Sequence, residues 1–118
     1  MSHYRAGQEF AYLVRDALNA DGYRTATLAA SKGPADIWAV KPDQILFVQV
    51  KKTNPQLSPK ERAALYELAI HCRGGNREVL PIVAYQPAPR KPIMYRLLTG
   101  IGPGDWEPWT PDEVAAIA

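Results

Sequence analysis

The stretch ADIWAVKPDQILFVQVK, residues 35 to 51, constrains this chain more than any other. Two runs rich in β-branched and aromatic residues, Ala35 to Val40 and Ile45 to Lys51, flank Lys41-Pro42-Asp43-Gln44. Proline and aspartate are turn residues, so the runs read as an antiparallel hairpin. With those four residues as the loop, Val40 pairs with Ile45, Trp38 with Phe47 and Asp36 with Gln49. Side chains alternate along a strand, so Asp36, Gln49 and Lys51 leave one face at the hairpin's open end. Ile37, Ala39, Leu46, Val48 and Val50 leave the other face and meet a core. A slip of one residue in register would scatter the polar trio.

The rest of the chain supplies what a hairpin needs to bury its faces. Ala6, Phe10, Leu13, Val14, Ala17 and Leu18 recur at helical spacing and predict a helix over about residues 3–20, stopped by Asp21-Gly22. Residues 23–28 form a short strand and 29–34 a loop. Ser58-Pro59 with Glu61 has the capping-box pattern of a second helix, whose buried stripe is Ala64, Leu65, Leu68, Ala69 and Cys72. Residues 79–85 and 93–98 are apolar strands separated by QPAPRKP. Trp106 and Trp109 fold back onto the domain, and Thr110-Pro111 opens a short C-terminal helix over the last residues. The order α-β-β-β-α-β-β, then the short helix, predicts an α/β fold with a mixed central sheet flanked by helices. With 118 residues, 47% of them hydrophobic and 22% charged, the chain reads as one globular domain over 1–118. Its one cysteine excludes an intrachain disulfide, and no apolar run approaches the ~20 residues of a membrane span. The N-terminus lacks a signal peptide's apolar core, so the expected location is cytoplasmic.

The hairpin trio suggests chemistry on a charged, oxygen-rich ligand. A hard divalent cation takes oxygen donors with at least one carboxylate, and Asp36 provides one. Gln49 offers a neutral amide oxygen, and the carbonyl of Val50 can add a third. Lys51 places a positive charge beside them, suited to a developing phosphate charge or to a water. A second acid is needed, and Glu9, next to the apolar stripe of the first helix, can face the sheet edge. Taken singly, Lys51 reads as a surface lysine and Asp36 as a strand terminator. His3 and His71 are too few for a zinc site, and Arg73-Gly74-Gly75-Asn76 lacks a phosphate loop's lysine.

The arrangement of PADIWAV followed by LFVQVKK resembles the PD-(D/E)XK nuclease superfamily, with Gln49 in the position of an acid. GQEF, the SKGPAD loop and the long helix after VKK look most like the archaeal-type Holliday-junction resolvases and their phage relatives. The resemblance covers about residues 5 to 98. It implies a restriction-endonuclease-like core, with Glu9, Asp36 and Gln49 on the metal side, Lys51 as catalytic lysine and Ser31 near the scissile phosphate. It implies Mg²⁺, with Mn²⁺ able to substitute, and a homodimer cutting branched DNA in a prokaryotic or phage-infected cell. Arg5, Lys32, Lys52, Lys60 and Arg62 are the basic residues expected to meet phosphates, without reading bases. The expected activity is a structure-selective endodeoxyribonuclease that resolves four-way junctions. The alternatives are a nuclease-fold DNA-binding module weakened by Gln49, or another small repair nuclease of the superfamily.

Overall fold

The computed structural model describes residues 2–28 and 33–111, with side chains from residue 8 onward in the first helix. Helix α1 spans Ser2–Ala20 and ends where Gly22 adopts a φ of 97°, with Tyr23 N–H returning to the Leu18 carbonyl. That left-handed turn is what glycine permits most cheaply. Phe10, Val14 and Leu18, four residues apart, are buried, whereas Leu13 is exposed. The stripe is therefore narrower than the sequence spacing suggests.

Six strands follow the order of the chain across one sheet: β1 (Arg24–Thr27), β2 (Ile37–Lys41), β3 (Gln44–Val50), β4 (Glu78–Tyr85), β5 (Met94–Leu98) and β6 (Trp106–Trp109). All neighbours are antiparallel except β3 and β4. That parallel pair needs a crossover, and helix α2 (Pro59–His71) supplies it. The hairpin register is the expected one: Val40 faces Ile45 and Trp38 faces Phe47, while Lys41 and Gln44 also pair. Pro42 and Asp43 alone therefore form the turn.

The two faces of the sheet bury different clusters. Ile37, Ala39, Leu46, Val48, Ile82 and Ala84 pack with Phe10, Val14 and Leu18 of α1. Phe47, Val79, Val83 and Leu98 pack with Leu57, Leu65 and Ala69 on the α2 side. The side-chain period of two thus assigns the buried hairpin residues to one helix or the other. At the start of α2, Ser58 accepts from Glu61 N–H, and the Glu61 carboxylate accepts from Ser58 N–H.

Several expectations change. Cys72 caps α2 and is exposed rather than a core filler. The segment of Trp106 and Trp109 is an edge strand, concealed in the sequence by Pro108; an edge position tolerates a missing N–H. Strand β4 lies inside the sheet and is almost wholly buried; the sheet's open edges are β1 and β6. The expected C-terminal helix lies outside the described residues, as do Ser31 and Lys32. Among the described residues no helix is long and apolar enough to cross a membrane.

Candidate active site

Strand β2 gives way to a bend at Asp36, one residue before the ladder begins, while β3 continues to Val50. Asp36 N–H still donates to the Val48 carbonyl at 2.7 Å, which holds its side chain on the α2 face opposite Gln49. Its carboxylate then takes the place of the missing strand: Oδ2 accepts from Val50 N–H at 2.8 Å and from Gln49 Nε2 at 3.1 Å. Asp36 is thus a strand terminator and a member of the polar cluster at once. Among the described residues its Oδ1 carries no hydrogen bond. The Gln49 amide turns its nitrogen to Asp36, leaving its oxygen free to accept. In a strand the N–H and C=O of one residue leave the same edge, so the Val50 carbonyl also faces the side on which β2 has ended.

Lys51 follows directly. Its N–H is fixed to the Ala84 carbonyl, and its Nζ lies 3.1 Å from Glu61 Oε2. Glu61 was legible in the sequence as the acid of a capping box; its contact with Lys51 was not. One oxygen accepts from Ser58 N–H, the other from the lysine. The Ser58 amide, ahead of the Lys51 ammonium, lowers its carboxyl pKa, against a partial opposing effect of burial. The ten-residue separation from Lys51 carries no sequence signal, because only the fold of the 52–58 loop brings the two together.

The other expected site residues divide. Glu9 is exposed and has no hydrogen-bond partner among the described residues. It sits on the helix that covers the opposite sheet face, and it is open to solvent rather than turned to the sheet edge. Its neighbour Phe10 is anchored in the cluster containing Val48, with Val50 packed against it. Lys52 and Lys60 are exposed beside the site. Arg62 is corrected outright: it is buried, and it donates from Nη1 to the Leu57 carbonyl at 2.8 Å and from Nε to the Ile101 carbonyl at 3.0 Å. Its charge ties two loops together and is not offered to a phosphate. Ser31 and Lys32 lie outside the described residues, and the side chain of Arg5 is likewise not described.

The donors suit a hard cation of the Mg²⁺ type, which takes one or two carboxylates and leaves positions for water and phosphate. Asp36 Oδ1, the Gln49 amide oxygen and the Val50 carbonyl are all oxygen donors at one strand end. Among the described residues no group of three or more His, Cys, Asp or Glu side chains is placed to hold a metal by itself.

The family model of Mrr_cat, a restriction endonuclease, matches residues 5–81, which contain the hairpin, α2, most of α1 and the whole cluster. The fold is similar to that of Hjc from Archaeoglobus fulgidus, described as a Holliday junction resolvase from an archaeal hyperthermophile. The TM-score is 0.58 at 22% identity, over 75% of this chain and 70% of that one. No curated protein sequence matches.

Proposed function

This chain belongs to the Mrr_cat family of restriction endonucleases, and on that premise we propose that it is a Mg²⁺-dependent endodeoxyribonuclease that resolves four-way DNA junctions. The observation that carries the reading is the convergence of Asp36, Gln49 and Lys51 on one sheet face at the end of β3. Junction selectivity is supported by the likeness in fold to the archaeal resolvase and by the absence of any base-reading helix among the described elements.

Asp36 Oδ1, the Gln49 amide oxygen and the Val50 carbonyl would hold the cation, with Glu9 adding a second carboxylate from the solvent side. A bound divalent ion supplies positive charge at the phosphate and lowers the pKa of water. The protein does the rest. The Val50 and Gln49 donors fix one oxygen of Asp36, so the other keeps its direction. Lys51 presents an ammonium group to the phosphate oxygens, where charge increases during attack. Water attacks phosphorus in line, a new P–O bond forms, the P–O3′ bond breaks, and a proton passes to O3′. The products are a 5′-phosphate and a 3′-hydroxyl. A junction has two strands to cut, so a two-fold homodimer places one site on each.

The test is to incubate purified protein with a labelled four-way junction and a linear duplex of equal length in Mg²⁺. The reading predicts paired nicks in the junction and little cutting of the duplex. Equal cutting of both contradicts a resolvase, and no cutting of any branched substrate contradicts a nuclease. A second reading, a DNA-binding module without hydrolysis, is favoured by Gln49 standing where an acid would strengthen metal binding. It predicts that Mg²⁺ and Mn²⁺ change neither thermal stability nor activity.

A further inference from the structure

On the same sheet face as the candidate site, one strand beyond β4, lies an arginine without an acceptor among the described residues. The register runs Gln49 to Val83 to Arg96, so Arg96 sits two strands from Gln49, about 10 Å across the sheet. Its guanidinium carbon lies 3.6 Å from the centre of the Trp106 ring and 5.6 Å from that of Tyr85. Its Nε is buried and unbonded. Among the described residues no carboxylate forms an ion pair with it.

The surroundings deepen the imbalance. Arg96 lines a narrow crevice with Pro55, Leu57, Trp106 and a second guanidinium, Arg62. Arg62 is satisfied by carbonyls; Arg96 is not. The nearby Asp105 turns its carboxylate to Gly102 N–H, and Glu107 pairs with Leu97, on the α1 side of β5. An arginine lying over the Trp106 ring, with Tyr85 nearby, has lost side-chain freedom while keeping its planar donors, the geometry suited to a phosphate. Stacking on aromatic faces offsets only part of the cost of partial desolvation. The crevice beside Nε, about 10 Å³, is too small for an anion, so an external phosphate completes the arrangement at the terminal nitrogens of this half-buried side chain.

We propose that Arg96, stacked on Trp106 and Tyr85, is a phosphate-binding residue for the DNA strand that continues past the cleavage site. The ligand is a backbone phosphodiester, bound by charge and shape and not by sequence. The inference rests on the nuclease reading only for the identity of the strand.

The experiment measures binding of a fluorescent four-way junction in chelator-containing buffer, from about 50 to 200 mM salt. Each variant's melting temperature is recorded alongside. Arg96→Ala is expected to weaken binding roughly tenfold and to lower the log–log salt slope by about one. Arg96→Lys keeps the slope but binds several-fold more weakly, because it loses the stacked planar fork. Wild-type affinity and slope in Arg96→Ala overturn the inference; if that variant does not fold, undiminished affinity in Arg96→Lys overturns it instead. A wild-type protein that cuts the junction while Arg96→Ala binds normally overturns this inference and leaves the nuclease reading standing. A wild-type protein whose binding depends on Arg96 but which cuts nothing does the reverse.

Discussion

Asp36 holds two roles in one carboxylate, and this separates its substitutions. Oδ2 closes the β3 ladder through Val50 N–H, whereas Oδ1 is available for a ligand. Asp36→Asn keeps an acceptor for that amide, so stability should change by less than ~1 kcal/mol while cleavage falls by 10²-fold or more, roughly what an electrostatic group at a reacting centre contributes. Equal loss of stability and cleavage would make Asp36 structural. Lys51→Ala should likewise abolish cleavage while binding to the junction stays within a few-fold of wild type; parallel loss of both would place Lys51 in binding instead. Gln49→Glu should raise activity at limiting Mg²⁺ if the side chain at 49 is a ligand, and an unchanged Mg²⁺ dependence would remove it from the ligand set. The pairing of Asp36 with Gln49 was legible because alternation and a Pro-Asp turn fix the register. The contact of Lys51 with Glu61 was not, because it is a tertiary contact across a seven-residue loop.

At the scale of elements, α2 organises the site from its first turn. Its capping box holds Glu61, Glu61 holds Lys51, and the adjacent Arg62 anchors the Leu57 and Ile101 carbonyls. Removing the Arg62 side chain leaves those carbonyls without their donor, so Arg62→Ala should cost about 1–3 kcal/mol of stability, read by denaturant melting. A neutral result would show that the loops are held elsewhere. The lowered pKa of Glu61 has a definite sign. Its stabilising contribution is present above the ordinary carboxylate range and is lost as pH falls through its depressed folded value. Glu61→Gln should therefore flatten the acid limb of the stability profile; an unchanged limb contradicts the assignment. Helix α2 was readable from Ser58, Pro59 and Glu61, since caps are local. Arg62 was misread as a phosphate ligand because nothing in its neighbours shows that loops close over it. Strand β6 was hidden by Pro108 for the same reason: whether proline is tolerated depends on which edge the strand occupies.

At the scale of the molecule, one sheet separates α1 from α2 among the described residues, and the candidate site lies on the α2 side, where β2 stops short of β3. The parallel β3–β4 pair places Gln49 beside Val83 and, through it, Arg96, so the candidate trio and a stacked arginine share one face. Glu9 stands exposed on α1, in the other layer, and its helix register alone could not show what it faces. The central claim is that the end of β3 holds a divalent cation between Asp36 and Gln49. Anomalous diffraction from crystals soaked in Mn²⁺ tests it most directly. The account predicts a peak within coordination distance of Asp36 Oδ1 and the Gln49 amide oxygen, with Lys51 alongside. A clear map with Mn²⁺ bound elsewhere, and none at that strand end, would contradict it.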